Sequence, residues 1–232
     1  MASIVDSIRS VYTDSFSTLK LGAFSAAIYF LFTLYVPSNY SNPLNAALII
    51  FIISLYLGFC SIIASNRINQ RIEVLPSLNI INFFKTALQV TIIFLPFAFV
   101  SSVCVNFVVG LFRFEGLPQI IALWLVRFVV FSAFISSLIN FSEKNNISDG
   151  LNFSKMTGAL ADVIVYTILG LILLAICSVF IAMPILYLLY QFFKFGPIFQ
   201  YVAVFFITLN LAYMADFWGQ LHYDIQSRDN YY

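Results

Sequence analysis

Charge is scarce in this chain: 9% of its 232 residues are Asp, Glu, Lys or Arg, against about a quarter in soluble proteins. Histidine occurs once, as His222 in the tail, which excludes a multi-histidine metal site within one chain. Cysteine is sparse too. Cys60, Cys104 and Cys177 fall in three separate apolar runs with no CxxC pair and no zinc spacing, and they read as small packing residues. HExxH, GxSxG, Walker-type glycine loops and Rossmann fingerprints are all missing. A net charge of +1 gives no basic footprint for nucleic acid and no strong overall attraction to anionic lipid. The chain therefore reads as non-enzymatic and without a cofactor.

What is present is apolar surface. Hydrophobic residues make up 62% of the chain and mean hydropathy is +0.97, more than a soluble chain of this length can hide. Crossing a membrane takes about 20 apolar residues. Six runs qualify or come close, at roughly 19–36, 44–65, 88–112, 118–141, 160–190 and 197–218. The first is short, and Lys20 can extend it by snorkelling to the headgroups. No small-residue cleavage site follows it, so it reads as a retained anchor rather than a signal peptide. The fifth is about 46 Å long at ~1.5 Å per residue, too long for a straight crossing, and Pro184 is the expected bend.

Basic residues set the expected orientation. Arg9, Lys20, Arg67, Arg71, Lys85, Lys144, Lys155 and Arg228 fall on one side, and only Arg113 and Lys194 on the other. Both termini are thus expected in the cytoplasm. The outer connections are short. Two of them carry related phrases, FRFEGLP at 112–118 and FKFGP at 193–197, which read as hairpin tips. The inner connections are longer and partly amphipathic. Residues 78–88 repeat apolar positions at helical spacing, 151–160 do the same after Ser148 and Asp149 as N-caps, and 5–19 form a third such stretch. Such segments are expected to lie along the interface. The expected architecture is all-α: six transmembrane helices in three hairpins with cytoplasmic interfacial helices, as a single domain of three pseudo-repeats (1–70, 71–145, 146–232).

Few polar residues enter the spans. Arg127 lies nine residues past Pro118, about 13 Å along a helix. A charge at that depth is a functional candidate by default; the alternative is that it snorkels outward or makes a packing tie to Asn106, Tyr166 or a backbone carbonyl. Asp162 and Asp216, near the inner ends of spans five and six, could bind a cation or relay a proton, or could meet headgroup water, Lys155 or an arginine. On neighbouring helices at similar depth they could also form a carboxylate pair. Asn210 and Asn106 are interhelical hydrogen-bond candidates. Small residues four apart (Gly22/Ala26, Ser61/Ser65, Ser132/Ser136) collect in the inner halves, predicting closer packing there. Pro96 and Pro184 interrupt spans three and five, as the broken helices of transporters do.

The stretch 58–97, with Gly58, Leu75-Pro76, Phe84 and Pro96, together with 147–160, resembles domain-of-unknown-function family 4013. The resemblance implies a six-span prokaryotic membrane protein and no assigned activity. Two roles stay open. One is an accessory or organising membrane protein acting through the lipid bilayer, a membrane-protein partner or a homo-oligomer. The other is a small permease or channel subunit with a polar path around Arg127.

Overall fold

The structure, a computed structural model, describes residues 3–14, 16–34, 43–77, 79–111 and 116–229. It is all-helical, with no strand among the described residues. In chain order the helices are α1 (Ile4–Thr13), α2 (Ser17–Thr33), α3 (Pro43–Ile68), α4 (Ile80–Leu111), α5 (Leu117–Lys144), α6 (Ile147–Gly150), α7 (Phe153–Cys177), α8 (Met183–Phe193) and α9 (Pro197–Asp229), with a π-helical stretch, Ser178–Ala182, between α7 and α8. Five segments are long and apolar enough to cross a membrane: Pro43–Ile68, Ile80–Gly110, Leu117–Lys144, Leu160–Phe193 and Pro197–His222. A sixth is reached if α1 and α2, bent by 94°, count as one. The first outer connection and most of the first hairpin phrase, with Arg113, lie outside the described residues, as does the Cys177 side chain.

Local chemistry sets the breaks. Pro184 has no N–H, and its ring crowds the carbonyl four residues back. The chain answers with the π-helical stretch just before it, so the expected bend at Pro184 appears as a wound-out turn. Pro96, by contrast, sits inside an unbroken α4. Between α1 and α2, Phe16 takes a left-handed conformation (φ 57°) and turns the chain.

The amphipathic lead-ins differ from expectation. Residues from Ile80 onward belong to α4 itself, and those from Phe153 onward to α7. With no proline or cap between the amphipathic part and the apolar part, the helical hydrogen-bond ladder simply continues, so neither is a separate interfacial helix. Ser148 and Asp149 are not the caps. The Asn146 side chain accepts from Ser148 N, and Asn152 accepts from Ser154 N and Lys155 N. The N-terminal stretch does form a separate amphipathic helix, but Ser7 and Val11 of α1 are fully buried, because α1 packs on α9.

The core is off-centre. Its cluster is drawn from Phe59, Ile63, Leu75, Ile93, Leu138, Phe141 and Trp218, all toward the end of the bundle that carries most of the Lys and Arg, here the basic end. There α3 is the hub, packed on α9, α4 and α5. Small side chains make the close approach. A Cβ added at Gly58 would lie 2.6 Å from the Ala87 Cβ, and one at Gly219 would lie 3.0 Å from the Ala64 carbonyl. The buried hydroxyls of Ser61 and Ser142 meet at 3.3 Å, and Ser136 Oγ donates to the Met156 carbonyl at 3.0 Å. The far halves of α4 and α5 diverge from this core: Phe99, Phe107, Trp124 and Leu125 are all exposed. Among consecutive helices, α4 packs closely on α5, and both α7 and α8 pack on α9. In contrast α2 packs on α9 more than on its chain neighbour α3.

Candidate functional site

The polar groups gather in three places. The first joins the two ends of the chain. Ser3 caps α1 and its N–H donates to Gln220 Oε1 at 2.9 Å. Gln220 Nε2 lies 2.9 Å from both Ser7 Oγ and Asp216 Oδ2. Asp216 is fully buried, and its other oxygen faces Arg67 Nε at 3.7 Å, too long for a hydrogen bond yet close enough for attraction. So Asp216 meets an arginine, as one reading of the sequence had it, and ties α1, α3 and α9 together. It does not face headgroup water.

The second place is the α1–α2 elbow. Asp14 has no exposed side-chain surface. One carboxylate oxygen accepts from Lys20 Nζ at 2.7 Å and the other from the Leu75 N–H at 2.7 Å. Lys20 also reaches Glu73 at 2.8 Å. Lys20 therefore turns inward to two carboxylates instead of snorkelling outward. Nearby, the buried Asn66 amide donates to the Val74 carbonyl at 3.0 Å, which ties the 69–77 stretch back to α3.

The remaining candidates do not converge. Gly170 lies against Phe217 and Met214, so Asp162, eight residues earlier on α7, sits about 12 Å along the helix from the level of Asp216. No carboxylate pair forms. Asn210 Nδ2 donates to Ser178 Oγ at 3.1 Å, at the start of the π-helical stretch, so it does act as an interhelical tie. Because such bonds average about 0.6 kcal/mol in membranes, Asn210→Ala is expected to lower stability by no more than about 1–2 kcal/mol in a thermal-unfolding assay. Asn106 is exposed and makes no hydrogen bond to a described residue.

Arg127 occupies the third place. It is exposed on α5 and forms no ion pair with a described residue. It bonds neither Asn106 nor Tyr166. It lines an open groove of about 670 Å³ between the halves of α4 and α5 away from the basic end. The walls are mainly aromatic, with Phe94, Phe97, Trp124 and Phe131 among them, and Ser101 and Ser102 are the only hydroxyls. Among the described residues every carboxylate lies toward the basic end, so Arg127 has no countercharge at its own level.

Sequence reasoning missed Asp14, Gln220 and Asn66. Each sits in a polar stretch of sequence where solvation is the ordinary expectation. Only Asp14, six residues before Lys20, left a trace that could have been followed. Among the described residues no group of three or more His, Cys, Asp or Glu is placed to hold a metal ion. Comparison with family models, curated proteins and solved structures finds no match.

Proposed function

We propose that this chain is a non-enzymatic, multi-pass membrane protein with an accessory or organising role. On this reading the basic end and both termini face the cytoplasm, and the apolar helices run as three hairpins through a prokaryotic inner membrane. One end of the bundle is locked by buried polar ties. The other end opens sideways as a groove that suits a partner's transmembrane helix.

The observation that carries the reading is the setting of Arg127. A permease or channel needs a hydrated path that reaches the charge, with polar groups along it. The groove offers Phe and Trp instead, opening laterally between α4 and α5. An arginine at that depth costs about 2.5–3.5 kcal/mol on insertion scales, and a partner helix bearing one Asp or Glu would offset that cost.

The test is Arg127→Leu. The variant is expected to fold with an unchanged or slightly raised melting temperature, because the costly charge is gone. A photo-crosslinking residue placed at Trp124 should give adducts in native membranes with the parent and lose them in the variant. Should proteoliposomes of the parent conduct ions or solutes, and Arg127→Leu abolish that flux while the adducts persist, the permease alternative replaces this reading.

A further inference from the structure

A second cavity, at the basic end, has the opposite character. It measures about 360 Å³ and is walled by α3, residues 71–77, Asn79 and the first turns of α4. Its lining is polar: Asn66, Asn79, Asn82, Thr86, Gln89 and Asn145 contribute amides and a hydroxyl. Three charged residues also line it, Arg71, Glu73 and Lys85. Glu73 is held by Lys20 at 2.8 Å, whereas neither Arg71 nor Lys85 lies within 4.0 Å of a described carboxylate. The cleft is therefore locally cationic although the whole chain is close to neutral. The start of α4 opens onto it, adding the positive end of a long helix.

The neighbouring apolar side chains explain what kind of anion belongs there. Ile72, on the connection that walls the cleft, is 97% exposed, and Ile80, Ile81, Phe84 and Leu88 are exposed on the same turns of α4, on the face turned away from Asn82, Thr86 and Gln89. A cationic polar cleft at the end of a hydrophobic bundle, beside a helix whose outer face is apolar and exposed, matches a molecule with an anionic head and an apolar tail. We propose that this cleft binds the phosphate of an anionic lipid headgroup, with Arg71 and Lys85 as its cations and the surrounding amides as neutral donors. This inference needs the chain to lie in a membrane, but it is independent of Arg127 and of any partner.

Native mass spectrometry of the detergent-purified full chain tests it, with phosphatidylglycerol, phosphatidylcholine and inorganic phosphate as three separate probes. Phosphatidylglycerol should bind the parent as a discrete adduct, and the Arg71→Gln/Lys85→Gln variant should bind it at least about tenfold more weakly. Lys144→Gln, which removes a charge at the same end but outside the cleft, should bind as the parent does. Both substituted cations are exposed and lie within 4.0 Å of no described carboxylate, so folding should survive; the single variant Lys85→Gln, with a weaker loss, serves if the double variant does not. Equal loss in Lys144→Gln would reduce the effect to general surface charge and overturn the site. Equal occupancy by phosphatidylcholine would overturn the anionic headgroup. Tight binding of inorganic phosphate alone would overturn the lipid and leave a free-anion site.

Discussion

Asp14→Ala should lower the stability of the purified protein by about 3 kcal/mol or more, read as a fall of roughly 10 °C in melting temperature. The physical case rests on what the substitution leaves behind. Removing one member of a buried ion pair costs about 3–5 kcal/mol, because the other charge stays buried without compensation. Lys20 keeps Glu73 as a partner, which puts the ionic part of the cost near the lower bound. The Leu75 N–H, buried and, among the described residues, bonded only through Asp14, is then orphaned at about 1–3 kcal/mol. Asp14→Asn separates the two contributions: its amide oxygen can still accept from Leu75, so it should lose distinctly less than Asp14→Ala. If Asp14→Ala melts within about 2 °C of the parent, the elbow is not the lock described above.

The second large effect concerns the crossing of α3 and α4. A Cβ at position 58 would meet both the Cβ and the Cα of Ala87, at 2.6 and 2.7 Å, so one whole helix must move. Overpacking of this kind costs about 1–3 kcal/mol per added group, and Gly58→Val should exceed Gly58→Ala. Gly110 and Gly158 supply the contrast, since a Cβ added at either meets nothing within 4 Å. Gly→Ala there should be neutral or stabilising by up to about 1 kcal/mol, from helix propensity alone. Thermal unfolding of all four variants in one detergent checks the ordering. A Gly58→Ala protein as stable as Gly158→Ala would mean that the helices do not cross this closely.

These two sites differ in how readable they were beforehand. Runs of apolar residues announce long helices because every turn must be covered by lipid or protein, and Pro184 announces a break because its missing N–H cannot be hidden. The serine spacings pointed to close packing in the halves nearest the basic end, where Ser61, Ser65, Ser132 and Ser136 are buried, whereas in the Gly22/Ala26 pair Ala26 is exposed. Periodicity cannot say where an amphipathic stretch stops being separate: 78–88 and 151–160 read as interfacial helices, yet from Ile80 and Phe153 onward they belong to α4 and α7. Nor could it say which helix lies beside which. Asp14 looks like a solvated residue in a polar leader, and only the fold places Leu75 and Lys20 around it. Arg127 was conspicuous by its apolar surroundings, but its exposed position on α5 depends on packing that no local pattern encodes.

The polar tie between the chain ends bears on biogenesis. Ser3 and Gln220 are separated by 217 positions, and α2 leans on α9 more than on its chain neighbour. During synthesis the first two helices must therefore wait for the last one. At about 5–20 residues per second that wait is roughly 10–40 seconds. Through that interval the apolar face of α1 lacks its final neighbour, and the insertion machinery or surrounding lipid must shelter it, although Asp14 gains Lys20 and Leu75 much earlier. Release of α9 is then the event that seals the bundle, and a chain stopped short of it would present the uncovered face of α1 to membrane quality control.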